Sequence, residues 1–575
     1  MLQARKICLE VEDGEEVVSL LNEVDFSVPR GHFMAIVGPS GCGKTTLLKT
    51  IAGIKIATDG SFIWNGRDLT EDGDFEPGEV GYVPQFSIAY DELTVDESVE
   101  NAARMRVSAD EDEINALIDS VLEETGLTEI ADRQVKLLSG GQKRRLALAM
   151  ELVSRPQILL CDEVTSGLDP RSERDIVNLL HELSRRDGRI VISVTHSLAQ
   201  MELYDSVMVM VRGNLAYHGT PNALTHYFGV ADFEDVYPHL ALREPEQWRL
   251  SWLKHRKPYY ERMDAEYIKT YAQLGICPPS MQQVTEEDMT ELPGFFTQTY
   301  QLICRRYSIF MRDRTQLILQ LVMILVFPVL VALFSGKGQD QLLQLADTRS
   351  ADIAAEVQAQ QDQATVRARV GSAVSGIIMF EVILLGLMGS NNASREVAGE
   401  RLIMEKEKFA GMSVGAYVTS KVIFLAGLVA IQSLWMYWFV QQCGEFRGDS
   451  LNHLYFLMLA NAAMTSVCLG ISANSKTADQ ASLLSIYLVG FQLPLSGAVL
   501  ALPNLVEVFT QPFISAYWAW SGSISGGLNS DVFKAVTSIV QTDFSPASIC
   551  SIVLWVHVGV GILLTWWGAR QSRWD

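Results

Sequence analysis

The sequence predicts two fold classes in one chain: an α/β P-loop NTPase domain fused to an all-α transmembrane domain of six helices. Three observations carry this expectation. Residues 1–220 are strongly acidic, with 38 Asp and Glu against 21 Lys and Arg. A short apolar run at 33–37 leads directly into a glycine-rich loop and then into helix-forming sequence. After residue 315, long apolar runs alternate with short polar ones. The whole-chain averages, 48% apolar residues and a mean hydropathy of +0.14, conceal this division. A net charge of −22 with no basic stripe argues against nucleic-acid binding, because nothing is available to neutralise a phosphate backbone.

The run Phe-Met-Ala-Ile-Val reads as a buried strand, followed by GPSGCGKTT from Gly38 to Thr46. This is G-x-x-x-x-G-K-[ST] between a strand and a helix. Backbone N–H groups that turn inward around a phosphate chain need permissive dihedrals, supplied by Gly41 and Gly43, with Ser40, Cys42 and Thr46 completing the loop. Lys44 is placed to reach the terminal phosphates and the Thr45 hydroxyl to hold Mg²⁺. A second buried run, 158–161, ends in Asp162-Glu163, a carboxylate pair suited to metal binding and to activating a water.

Further along come LSGGQ (Leu138–Gln142, with Ser139, Gly140 and Gly141), SGLD ending at Asp169, and His196 after the strand-like RIVISVT; Gln85 lies upstream. In this order the residues resemble the ATP-binding cassette (ABC) family over roughly 5–220. The resemblance implies ATP and Mg²⁺ as cofactors, with Glu163, His196 and Gln85 catalytic and Thr45, Gln85 and Asp162 around the metal. It also implies that two cassettes close head to tail, so that Ser139 and Gly141 of one copy meet the γ-phosphate held by Lys44 of the other. His32, His181 and His218 carry no such context and read as structural. ICLEVEDGEEVV offers no aromatic where many cassettes stack the adenine, which implies loose base selectivity.

Residues 221–294 are polar and proline-rich and are expected to form a linker of short helices ending in an irregular tether. Within it, the aromatic and basic stretch Trp248–Tyr260 reads as an amphipathic helix docked on its own domain, the alternative being a nucleic-acid or lipid-headgroup patch. Residues 295–316 carry aromatic residues at helical spacing beside Arg305, Arg306, Arg312 and Arg314, as an interfacial connecting helix would. Residues 317–575 hold six apolar runs, near 317–335, 371–390, 417–440, 454–471, 481–502 and 548–568, each about the ~20 residues a span requires. Positive-inside counting places both termini in the cytoplasm and 336–370 outside as an amphipathic helix. The N-terminus lacks an apolar stretch, so no cleavable leader is expected, and the eight cysteines include no C-x-x-C that would suggest zinc.

A cassette followed by six spans resembles the G-type half-transporters. That resemblance implies a coupling segment at 394–421, with Glu400 and Glu407 as its paired carboxylates. Phe380, Glu381 and Gln492 are candidate cavity residues. Glu381, the acidic residue deep in a span, is read either as a cavity or proton-sensitive group or as a structural partner of a polar neighbour, His557 being one candidate. The expected function is ATP-driven export of a lipid or amphipathic molecule across a plasma (inner) membrane. Its partner would be a second copy or a related half-transporter, with membrane lipids around it. The alternatives are an ATPase that transmits force or signal to an outer partner, or a polysaccharide exporter.

Overall fold

The computed structural model describes residues 1–571 except 15, 72, 87, 187, 199, 500–501 and the segments 274–291, 335–352 and 444–448. The chain divides into two units: Met1–Gly294 together with Lys406–Met412, and Phe295–Glu405 together with Ser413–Arg573.

In the first unit the strands are β1 (Leu2–Asp13), β2 (Glu16–Val28), β3 (Phe33–Val37), β4 (Asp59–Trp64), β5 (Arg67–Asp68), β6 (Val80–Val83), β7 (Ile158–Asp162), β8 (Ile190–Val194), β9 (Ser206–Val211) and β10 (Asn214–Gly219). One antiparallel sheet has the order β2-β1-β4-β5. The other has the order β10-β9-β3-β8-β7-β6, parallel from β9 to β6 with β10 antiparallel at its edge. Strands β3, β7 and β8 are buried at every position, as expected of central parallel strands covered on both faces. The helices of this unit are α1 (Lys44–Ile51), α2 (Val95–Arg106), α3 (Glu111–Thr125), α4 (Gly140–Leu152), α5 (Pro170–Arg186), α6 (Pro221–Phe228), α7 (Val236–Leu240) and α8 (Pro245–Gln273). Helix α2 starts on a capping box in which Thr94 and Glu97 satisfy each other's backbone N–H groups.

The linker holds two short helices, α6 and α7, as expected, and one long helix that the prolines did not suggest. Helix α8 is 29 residues long, with Pro245 at its first position, where no N–H is required, and Pro258 inside it. It docks on the cassette as its aromatic pattern suggested. Trp248 and Trp252 are 2% and 1% exposed and belong to the same core as β10 and α6.

The second unit is helical: α9 (Phe295–Arg312), α10 (Arg314–Phe334), α11 (Ile353–Ala393), α12 (Arg401–Phe409), α13 (Val414–Cys443), α14 (Ser450–Asn474), α15 (Ala478–Leu495), α16 (Asn504–Thr510), α17 (Ser515–Gly527), α18 (Ser530–Thr537) and α19 (Ala547–Arg570). The last four residues of α12 fall in the first unit. Helix α14 packs on α11, α17 and α19. Small residues permit the closest approach: a Cβ on Gly561 of α19 would lie 2.4 Å from the Ser466 backbone of α14.

Five helices among the described residues are long and apolar enough to cross a membrane. The expected fifth span, 481–502, is not one of them. Helix α15 stops at Leu495, beyond an internal Pro494, and Gly497 takes a left-handed φ of +74°. Asp479, Gln480 and Gln492 also dilute its apolar character. The expected outer helix 336–370 lies outside the described residues up to 352, and from Ile353 it is continuous with α11.

His32 and His218 are buried in the first unit, their Nε2 atoms 2.8 and 3.4 Å from the Ser206 hydroxyl. Burial, reinforced by the neighbouring His32, pushes His218 down to about 3. The unfolded chain therefore takes up the proton first, so folding stability falls as pH drops below the ordinary histidine value near 6.5. The expected loss approaches ~1.4 kcal/mol per pH unit from this site and ends near its folded value. Chemical denaturation at pH 7.5, 6 and 5 should show it, with a weaker pH slope in His218→Gln.

Candidate nucleotide site and membrane cavity

The parallel sheet brings the sequence-predicted residues of the first unit together. Strand β3 runs into the phosphate loop, and Gly41 and Gly43 adopt φ of +75° and +99°. Lys44 donates to the carbonyls of Gly38 and Pro39 at 2.9 and 3.0 Å, so its ammonium lies inside the loop. The Thr45 hydroxyl donates to Asp162 Oδ1 at 2.9 Å, and the Tyr82 hydroxyl to Asp162 Oδ2 at 3.2 Å. Burial pushes the Asp162 carboxyl up, opposed by these two hydrogen bonds, and burial beside Asp162 raises Tyr82.

Glu163, at a left-handed φ of +49°, is held from both sides. Gln85 Nε2 donates to its Oε2 at 2.8 Å, and His196 Nε2 lies 2.7 Å from its Oε1. The carboxylate is thus oriented by the two residues expected to act with it. A cavity of about 360 Å³ is lined by Ser40, Gly41, Gly43, Lys44, Thr45, Thr46, Glu163 and His196. Val18, Ser19, Leu20, Arg212 and Gly213 complete its wall, and sequence reasoning had assigned none of these. Val18 borders the cavity from the N-terminal stretch that lacks an aromatic.

The donor set fits Mg²⁺: the Thr45 hydroxyl and the Asp162 carboxylate already lie within one hydrogen bond, and both offer hard oxygen ligands. The Gln85 side-chain amide, oriented through Glu163, is the third candidate.

Ser139, Gly140, Gly141 and Asp169 do not line this cavity. Ser139 caps α4 in a capping box with Gln142 and is exposed, so the positive end of that helix is presented to solvent. Asp169 caps α5, accepting from the backbone N–H groups of Arg171 and Ser172 and from the Ser172 hydroxyl. His181 is structural, its Nδ1 being 2.7 Å from the Leu203 carbonyl.

The expected coupling carboxylates are placed differently from each other. Glu400 is bound by Lys421 at 2.5 Å and by the Tyr417 hydroxyl at 2.6 Å, all within the second unit. Glu407 is half-buried in the first unit. Beside it, Lys406 forms a buried ion pair that the sequence did not announce: its ammonium is 2.9 Å from Glu151, which also receives two hydrogen bonds from Arg106 at 3.0 and 3.1 Å. The three side chains are no more than 5% exposed. Burial opposes the Glu151 charge, but Arg106 and Lys406 outweigh it and hold the carboxyl at about 2.

In the second unit a cavity of about 910 Å³ lies between α11, the end of α15 and the segment after α18; its walls include Ile377, Phe380, Ile383, Leu493 and Val540. Of the three expected cavity residues, only Phe380 borders it. Glu381 turns inward, 1% exposed, with Oε2 accepting from His453 Nε2 at 3.0 Å, so its neighbour is His453 of α14 rather than His557. Gln492 spends its Oε1 on the Ser515 hydroxyl and the Ala516 N–H, at 3.1 and 3.0 Å, capping α17, and borders only a small separate void. Both polar side chains are consumed by packing demands inside the helix bundle. Arg306 of α9, expected at the membrane surface, is instead buried against Glu396, which also binds Lys421 at 3.0 Å. Phe296, Tyr300 and Tyr307 of the same helix remain exposed.

Comparison with known proteins agrees with this layout. The ABC transporter family model matches residues 21–166, and that of the ABC-2 type transporter matches 297–519. The ABC transporter ATP-binding/permease protein Rv1747 of Mycobacterium tuberculosis is 26% identical over 524 residues, covering 89% of this chain and 56% of that protein. The chain thus spans little more than half of that relative's length. The maltose/maltodextrin import ATP-binding protein MalK of Yersinia pestis bv. Antiqua is 36% identical over 288 residues, covering 48% of this chain and 77% of MalK. Among solved structures, the ADP- and Pi-bound ATP-binding cassette MJ0796 is 26% identical, covering 38% of this chain and 98% of its own, with a TM-score of 0.35.

Removing one member of a buried ionic cluster leaves charges without compensation. Glu151→Gln is therefore expected to destabilise the first unit by about 3–5 kcal/mol. Adding Lys406→Met should recover part of that loss. Chemical denaturation of the single and double variants measures both, and additive losses would count against a shared cluster.

Proposed function

The chain belongs to the ABC transporters, with an ATP-binding cassette followed by an ABC-2 type membrane domain, and from that premise we propose that it hydrolyses ATP to export a lipid or amphipathic molecule as a homodimer. The observation that carries the reading is the Glu163 carboxylate fixed between Gln85 and His196, beside the Thr45–Asp162 pair and the phosphate loop. In this arrangement Lys44 meets the terminal phosphates, Glu163 accepts the proton of the attacking water, and His196 orients Glu163. Thr45 and Asp162 would hold Mg²⁺, which would neutralise part of the phosphate charge. The exposed N-terminus of α4, with Ser139 and Gly141, is suited to the γ-phosphate bound by a second copy.

Five membrane-long helices and an apolar-walled cavity of about 910 Å³ support an apolar or amphipathic cargo. MalK is named for import, but its similarity covers only 48% of this chain. The positive-inside pattern supports both termini on the cytoplasmic face of a plasma (inner) membrane, which requires the chain between α14 and α19 to cross once more in addition to the five membrane-long helices. The segment from Arg401 to Met412, which begins in the second unit and ends in the first, is the proposed carrier of coupling.

Glu163→Gln is expected to keep nucleotide binding and lose nearly all hydrolysis; a normal turnover would remove Glu163 from the role of base. ATP-dependent uptake into inside-out vesicles, read by mass spectrometry against this variant, should enrich one lipid or amphiphile class. ATP hydrolysis without accumulation of any species would favour force transmission to an outer partner. Glu407→Ala should leave nucleotide affinity unchanged while lowering transport per ATP hydrolysed, and an unchanged ratio would take Glu407 out of the coupling path.

A further inference from the structure

The hairpin between β9 and β10 carries an unusual residue at its tip. Val211 pairs with Asn214, so Arg212 and Gly213 alone make the turn, and both take left-handed φ values, +41° and +77°. This is the two-residue geometry that favours Asn, Asp or Gly at its first position, and an arginine there is held against its backbone preference. The tip is also clamped. The Gly213 N–H donates to the Cys42 carbonyl of the phosphate loop, and the Gly213 carbonyl accepts from Asn22 of β2, each at 2.9 Å. A Cβ on Gly213 would lie 2.6 Å from the Leu20 carbonyl oxygen, so only glycine allows this approach.

The clamp sets Arg212 in the wall of the nucleotide cavity on the side of β2, where Val18 and Leu20 supply apolar surface. Lys44 and the Thr45–Asp162 pair define the phosphate end. Arg212 is exposed, and among the described residues its guanidinium has no ion pair or side-chain hydrogen bond. Among the described residues that line the cavity there is no phenylalanine, tyrosine or tryptophan ring. A guanidinium is planar, delocalised and weakly hydrated, and it stacks on aromatic faces where a lysine ammonium does not.

We propose that Arg212 recognises the nucleotide base, its guanidinium lying on one face of the adenine with Val18 packed against the ring. The assignment rests on the ATP reading of the site. It makes Arg212 a selectivity residue, supplied by a turn position in place of an aromatic on β2.

The test measures equilibrium binding of ATP and of inorganic tripolyphosphate to the full chain, in the Glu163→Gln background to prevent turnover. Arg212→Asn suits the left-handed turn, so the hairpin is retained. It should weaken ATP binding roughly threefold to thirtyfold and leave tripolyphosphate binding unchanged. Arg212→Lys should behave like Arg212→Asn, and Arg212→Tyr should regain most of the ATP affinity. Equal weakening of both probes, or full recovery by lysine, would show a phosphate contact and overturn the assignment, as would unchanged ATP affinity in Arg212→Asn. If the parent chain binds neither probe, the nucleotide reading itself fails and the base assignment with it.

Discussion

The parallel pairing of β3, β8 and β7 is the constraint on which the nucleotide site depends. Asp162 is in register with Val194, the Glu163 N–H donates to the Val194 carbonyl at 3.1 Å, and the Thr195 N–H donates to Ile36 at 3.1 Å. Those bonds bring three strand ends to one edge of the sheet: the phosphate loop from β3, the carboxylate pair from β7 and His196 from β8. Ligands bind at the carboxyl edge of parallel sheets because the loops there can vary while the strands beneath are fixed by burial on both faces. A one-residue slip of β7 would exchange its two faces and turn Asp162 away from Thr45.

A second constraint is electrostatic. Buried charges stay ionised only where they are closely compensated, and the chain meets this demand twice near α12. In the first unit Glu151 answers both Arg106 and Lys406; in the second, Glu396 and Glu400 share Lys421, and Glu396 also binds Arg306. Each cluster fixes side chains from helices far apart in sequence. Displacing any one of them uncovers a charge at a cost of several kcal/mol, so these clusters favour discrete arrangements over gradual deformation.

How much of this was legible in the sequence follows from how local the signal is. The phosphate loop, Asp162-Glu163, Gln85 and His196 were readable because each occupies a strand end or loop with a fixed residue pattern, and the structure joins them as expected. The role of Trp248 and Trp252 was readable from aromatic spacing, whereas the 29-residue length of α8 was not, since prolines that begin or interrupt helices were read as breaks between them. The Arg106–Glu151–Lys406 cluster left no trace, because tertiary contacts between distant residues have no local pattern. Arg212 did leave one: an Arg-Gly pair between two apolar runs departs from the residues a tight hairpin prefers.

The second unit shows why hydropathy finds spans but not their faces. Gln320, Asn392, Gln432 and Asn461 sit in apolar helices, and hydropathy alone leaves open whether they face a cavity. They instead bond to one another, Gln320 to Asn392 at 2.8 Å, Asn392 to Gln432 at 2.9 Å and Asn461 to Gln432 at 3.1 Å, all at most 3% exposed. Glu381 with His453, and Gln492 with the start of α17, follow the same rule. Where water is scarce an unpaired polar group is expensive, so these side chains bond across helices, and Asn392 does so while it also lines a second cavity of about 770 Å³ together with Arg306, Glu396 and Glu400. What remains for the large cavity is Phe380 and aliphatic side chains with a few serines and Gln541, a wall that selects by shape and apolar area more than by charge.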